Sequence, residues 1–437
     1  MKKVLIITYY WPPVGGVAVQ RWVKMAKYFR SFGWEPLIYT ALDGEVPVVD
    51  HSLESSVPEG ITVIRRPILE PYNLYRKLLG FKKEEKINAA FLQEKKKQGL
   101  LQDAAIWIRG NFFIPDARKF WVKPSIKFLS EYLLDNPVDA IISTGPPHSM
   151  HLIGAGLKKK LNIPWVADFR DPWTKIDYYH ELKLSKRADK KHHRLEKEVL
   201  TFADKVVVVS WNWANDFNKL NNGNTIVITN GYDDDDFVNG NIPLYDGFLL
   251  HHAGMINNKR NPEKLWAALE ALVAENEGFK NDLKIMFTGK ADYSVLESIK
   301  NYHLENYFSQ SEHLPHKEAV YSMQRSPVLL LLLNDTQDIL GRIPAKLFEY
   351  LAAHRPILAI GNSKGDAAKI IRETNSGVFA ELDNEDDIRE KLLSLYNKYK
   401  SGNLIFENKG IDIYSRKENA RQFAALLDSL QKEAANT

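Results

Sequence analysis

The feature that most constrains this chain is a recurring pair: a short, wholly apolar run, then a glycine or polar turn and a segment with helical periodicity. Val4 to Thr8 is followed by Pro12-Pro13-Val14-Gly15-Gly16 and by helical spacing from Val19 to Phe32, ending near Gly33. Short apolar runs with no polar face read as strands covered on both sides, and helical crossovers between them call for parallel pairing. The pattern returns at Pro36 to Thr40, Thr62 to Ile64, Asp139 to Ser143, Trp165 to Phe169, Lys205 to Ser210 and Thr225 to Ile228. It restarts at Phe248 to Gly254 and continues through Leu283 to Phe287, Val328 to Leu333 and Pro356 to Ile360. The expected fold class is α/β, with two Rossmann-like doubly wound halves.

With 437 residues, each half is long enough to build its own core. Between about 70 and 136 the strand pattern gives way to a helical insertion. Asp233 to Asp236 and the polar stretch to Asp246 read as a hinge; the acids lack calcium-loop spacing and read as a solvated linker. The expected division is 1–238, 239–415 and a final helix, 416–437. That helix carries an apolar stripe of Phe423, Leu426, Leu427 and Leu430, needs a partner surface and is expected to pack back on the first half.

A net charge of +4 with 26% charged residues does not call for nucleic acid, although it permits contact with phosphates or anionic membranes. The chain has no cysteine, which excludes disulfides, cysteine zinc sites and a cysteine nucleophile, and suits a reducing cytoplasm. Met1-Lys2-Lys3 and the apolar run after it are broken by Tyr9-Tyr10-Trp11-Pro12-Pro13 too early for a signal peptide. The longest apolar run elsewhere, Val328 to Leu333, is far short of a membrane span, so a soluble or peripheral protein is expected.

The segment Ile343-Pro344-Ala345-Lys346-Leu347-Phe348-Glu349 opens a helix in the second half and sets one cation and one carboxylate a turn apart. A helix start with Lys346 suits a diphosphate, and Glu349 suits ribose hydroxyls; the other reading is a solvated i,i+3 ion pair. In the first half, Gly15 and Gly16 read either as an anion-approaching loop or as a plain tight turn, since neither the G-x-G-x-x-G nor the G-K-[ST] spacing is present. His148, in Ser143-Thr144-Gly145-Pro146-Pro147-His148-Ser149, stands where a strand ends and a helix opens. It reads either as a sugar or phosphate contact in the ligand crevice or as a capping or packed histidine. The charges of Asp168-Phe169-Arg170-Asp171 follow an apolar run, and buried charges must pair or bind something. Arg170 is expected to meet a phosphate or an anionic acceptor, with Asp168 or Asp171 orienting it. Lys82, Lys83, Lys95, Lys96, Lys97, Arg109, Arg118, Lys119 and Lys123 lie amid Trp107, Phe112, Phe113 and Trp121. These read either as an anionic-bilayer surface that receives a lipid-linked acceptor or as a solvated face over packed aromatics.

Taken together, Tyr9 to Arg21, Ala203 to Ser210, Ile228 to Asp233, Gly254 and Pro344 to Pro356 resemble, in kind and order, the group 1 or family 4 glycosyltransferases of the GT-B fold, of the bacterial polysaccharide-biosynthesis type. The resemblance implies two Rossmann-like domains facing across a cleft, with a nucleoside diphosphate sugar, UDP or GDP type, held by the C-terminal one. It implies retaining transfer to a glycan or lipid-linked acceptor, hexosyltransferase activity without a metal, and no cofactor beyond the donor. The setting it implies is the cytoplasm, either free or at the inner face of the cell membrane. Lys259 and Arg260 fall where the family sets cations against the pyrophosphate, although a solvated loop is the other reading. Glu349 matches the second acid of the family's acid pair, and Gly341 stands at the first, where the amides of Gly341, Arg342 and Ile343 are expected to substitute. His148 lies near the family's histidine, with the register a few residues off. A sugar-nucleotide epimerase of similar fold and a non-catalytic sugar-nucleotide-binding protein are the competing readings.

Overall fold

A computed structural model describes residues 1–46, 48–70, 100–311, 314–333 and 339–435. Lys82, Lys83, Lys95, Lys96 and Lys97 therefore lie outside the described residues. The chain divides into two units, Met1–Thr229 with Arg416–Thr437, and Asn230–Ser415.

The first unit contains β1 (Lys2–Ile7), β2 (Trp34–Ala41), β3 (Thr62–Arg66), β4 (Ala140–Gly145), β5 (Trp165–Phe169), β6 (Lys205–Val208) and β7 (Thr225–Val227). They form one parallel sheet in the order β3-β2-β1-β4-β5-β6-β7. Successive side chains point to opposite faces, and both faces are covered, which is why the runs are apolar throughout. Leu5, Ile7, Ile141 and Ala167 enter one core with Trp165 and Phe169. Val4, Ile6, Ile142 and Val166 enter the other, with Trp22 of the helix Val17–Phe29 and Phe423 of the helix Arg416–Ala435. Trp22 and Phe423 meet at 5.1 Å between ring centroids. Each large apolar side chain buried in this way contributes about 1.5–3 kcal/mol.

Two helices, Leu100–Phe112 and Lys119–Asp135, precede β4. Trp121 is buried and stacks on Tyr39 at 4.9 Å, whereas Trp107, Phe112 and Phe120 stay exposed. Arg118 pairs with Glu70 at 2.8 Å and lies over the Tyr9 ring, so it belongs to the packing of the unit rather than to its charged surface.

In the second unit β8 (Phe248–Ala253), β9 (Leu283–Thr288), β10 (Phe308–Ser311), β11 (Val328–Leu332), β12 (Ile357–Gly361) and β13 (Gly377–Glu381) form a parallel sheet, β10-β9-β8-β11-β12-β13. The unit begins at Asn230 rather than after residue 238 because the intervening segment is bonded into it. The Tyr232 amide donates to the Tyr414 carbonyl at 3.1 Å, and the Val238 amide donates to Gln324 Oε1 at 3.1 Å. In both sheets the strand order reverses at the first strand, between β1 and β4 and between β8 and β11. The crevice outside the carboxyl ends there is where open α/β sheets bind ligands. Among the described residues no helix is long and apolar enough to cross a membrane.

Candidate functional site

At the carboxyl ends of β8 and β9 two glycines meet. Gly254 (φ 113°) donates its amide to the Thr288 carbonyl at 2.7 Å, and a Cβ on Gly289 (φ 126°) would come within 2.9 Å of the Gly254 carbonyl oxygen. Both backbones lie in the left-handed half of conformational space, which glycine enters without strain. A Cβ on Gly254 would sit 2.6 Å from Lys346 Nζ, so the ammonium rests on a floor that carries no side chain.

Lys346 and Glu349 come from the helix Ala345–Ala352, which is anchored by buried Leu347, Phe348, Tyr350 and Leu351. Both are half-buried, and Lys346 Nζ lies 3.1 Å from His252 Nε2. Withdrawal from water pushes the Lys346 pKa down to about 7; the nearby Arg260 guanidinium acts in the same direction and the Glu349 carboxylate against it. The pair is thus part of a charged group with Arg260, not an isolated pair in solvent. Lys259 and Arg260 are half-buried in the loop after β8, with Arg260 Nη1 3.4 Å from the Met255 carbonyl. Gly341 and Ile343 are buried and Arg342 half-buried, in the turn that leads into the helix.

In the first unit the structure separates residues that the sequence groups together. Asp168 is fully buried and takes hydrogen bonds from Arg21 Nη2 (3.0 Å), Trp22 Nε1 (2.9 Å) and Thr144 Oγ1 (2.8 Å). Its carboxylate is therefore given to Arg21 and does not orient Arg170. Arg170 is instead oriented by two carbonyls, those of Ala18 (3.3 Å from Nη1) and Pro146, while its Nε has no protein partner. Burial depresses the Arg170 pKa, and Asp171 opposes this more than Asp168 does.

His148 packs flat against Trp173, with 4.9 Å between centroids and 3° between planes. Burial holds its pKa well below the usual histidine value, and the neighbouring His151, Arg170 and His192 act in the same direction. It borders a cavity of about 80 Å³ with Arg109, Phe113, Trp173, Tyr178 and His192. The Gly15 amide donates to the Val48 carbonyl at 2.9 Å, which removes it from any role in holding an anion; Gly16, at φ 98°, opens the helix Val17–Phe29.

Residues 89–236 match the model of Glycosyltransferase Family 4. An uncharacterized glycosyltransferase of Methanocaldococcus jannaschii is 24% identical over 258 residues, or 59% of this chain, and the chain spans 65% of that relative's length. Sucrose-phosphate synthase of Thermosynechococcus elongatus superposes with a TM-score of 0.63 at 14% identity, over 98% of this chain and 99% of that one. Anabaena HepE, solved in complex with UDP, superposes with a TM-score of 0.60 at 13% identity, over 100% of this chain and 99% of that one.

The chain has the GT-B fold, and its residues 89–236 are similar to Glycosyltransferase Family 4. Within this GT-B chain, Gly254, Arg260, Lys346 and Glu349 gather at the carboxyl end of the second sheet, and His148 and Arg170 at the carboxyl end of the first. Gly289 and His252 belong to the second-unit group and are not singled out by the sequence patterns. Gly289 had a signal, a glycine directly after an apolar strand as at Gly254; His252 had none beyond its place in a buried strand. Among the described residues no group of three or more histidine, aspartate or glutamate side chains is arranged to hold a metal ion.

Proposed function

We propose that this protein is a retaining, metal-independent hexosyltransferase. It moves a sugar from a nucleoside diphosphate sugar of the UDP or GDP type to a glycan or lipid-linked acceptor in surface polysaccharide biosynthesis, and needs no cofactor beyond the donor. The observation that carries this reading is Lys346 lying against bare Gly254, which Gly289 backs, with Arg260 beside it and Glu349 one turn along. Bare backbone lets a diphosphate approach, the two cations offset its charge, and Glu349 accepts from ribose hydroxyls. The UDP held by HepE supports a donor of this kind.

In the reaction the bond from the sugar C1 to the diphosphate oxygen breaks as the acceptor oxygen bonds C1 on the same face. The acceptor proton passes to the departing phosphate oxygen, so no protein base is required. Lys346 and Arg260 stabilise the negative charge that grows on the leaving diphosphate, the largest demand of such a step. On the acceptor side the neutral His148 and the cation Arg170 bind and orient the acceptor. Exposed Trp107, Phe112 and Phe120, with Lys119 over the Phe120 ring, support contact with an anionic membrane where a lipid-linked acceptor resides.

The test is turnover of UDP- and GDP-hexoses with a lipid extract as acceptor source. Release of nucleoside diphosphate matched by sugar in the lipid or glycan fraction is the expected result. An altered nucleotide sugar formed without acceptor would assign an epimerase, and binding without any turnover would assign a sugar-nucleotide-binding protein.

A further inference from the structure

Lys346 meets a residue that has no surface of its own. His252, on β8, is wholly buried, and its Nδ1 lies 2.9 Å from the Leu330 carbonyl on β11. A carbonyl only accepts, so the imidazole proton resides on Nδ1 and Nε2 is left as a lone pair, 3.1 Å from Lys346 Nζ. Burial, and after it the Lys346 charge, keeps this imidazole from taking a second proton. The helix that bears Lys346 is tied to the same strand: the Tyr350 hydroxyl accepts from the Ala253 amide at 2.9 Å.

A carboxylate in this place would orient the ammonium but cancel its charge. A neutral imidazole orients it and leaves the charge whole, which is what an anion-binding lysine needs. We propose that His252 is a positioning residue that, through Nε2, aims the Lys346 ammonium over bare Gly254 at the diphosphate of the donor. This rests on the donor-site reading above. The groups that bear on Lys346 are His252 and His251 from β8, Arg260 from the loop after it, and Glu349 from its own helix.

The experiment is calorimetric titration of the full chain with UDP and with GDP at pH 6.5 and 8.5, using H252N, H252Q, K346M and H252N/K346M. The shorter amide of H252N keeps a donor for the Leu330 carbonyl and loses the acceptor at Nε2; H252Q restores an acceptor at about that reach. The lost acceptor no longer favours the ammonium over the amine. H252N is therefore expected to weaken binding about tenfold at pH 6.5 and more at pH 8.5. H252Q is expected to recover most of the loss, and H252N to add nothing to K346M. Losses from H252N and K346M that multiply in the double variant, or an H252N protein that melts and binds like the parent at both pH values, would overturn the assignment while leaving the donor site standing. A parent protein that binds neither diphosphate would overturn the donor-site reading and this inference with it.

Discussion

Arg21 and Asp168 form an ion pair at 3.0 Å in which neither side chain is exposed to solvent. Arg21 also donates to the carbonyls of Ile228 (3.0 Å) and Thr229 (2.7 Å), so one guanidinium ties the helix Val17–Phe29 to β5 and to the chain beyond β7. Removal of one partner leaves the other charge buried without compensation. Arg21→Met is expected to cost about 3–5 kcal/mol of stability, measured by urea denaturation. A loss below about 1 kcal/mol would show that the pair behaves as if solvated.

Lys346, with its pKa pushed down to about 7, is largely an uncharged amine at pH 8 in the ligand-free protein. A bound diphosphate favours the ammonium and raises that pKa, so binding at pH 8 must draw a proton from the buffer. Calorimetry in buffers of different ionisation enthalpy is expected to show uptake approaching one proton per diphosphate at pH 8, close to none at pH 5.5, and none at either pH in Lys346→Met. Equal uptake in the parent and in Lys346→Met would assign the proton elsewhere.

His148 is held neutral by burial, so its ionisation is not expected to shape the pH–rate profile between pH 5 and 8. His148→Ala is expected to lower sugar transfer by at least about tenfold while nucleoside diphosphate binding, proposed above for the second unit, stays within about twofold. Loss of nucleotide affinity in this variant would contradict the division of labour.

Gly254→Ala places a methyl group 2.6 Å from Lys346 Nζ on a backbone with φ 113°. The ammonium must move, and the strained residue costs of order 1–3 kcal/mol. Nucleoside diphosphate affinity is expected to drop by more than about tenfold, with a lower melting temperature. Parent-like affinity would mean that the floor is not where the diphosphate lies.

Much of this was legible in the sequence, because parallel strands covered on both faces leave continuous apolar runs such as Val4 to Ile7 and Val328 to Leu332. The helix that carries Lys346 and Glu349 was legible too, from its proline entry and its spacing. The charge cluster at the end of β5 was misleading at Asp168. Its partner, Arg21, is 147 positions away, and a short motif cannot show a pairing made by the fold. His252 was hidden for the same reason, since Lys346 lies 94 positions on and only the order of β8 and β11 in the sheet brings the two together. Gly15 looked available for an anion because nothing local to it reveals the Val48 carbonyl that takes its amide proton.

The most direct test of the central claim, that the second unit holds a nucleoside diphosphate through Lys346 and Glu349, is equilibrium binding of UDP and GDP to the parent and to Glu349→Ala. The expected result is saturable binding of one diphosphate to the parent, weakened at least about tenfold in the variant, since each ribose hydrogen bond to a carboxylate is worth about 1.5–3 kcal/mol. Binding of neither diphosphate, or equal affinity in the two proteins, would contradict it.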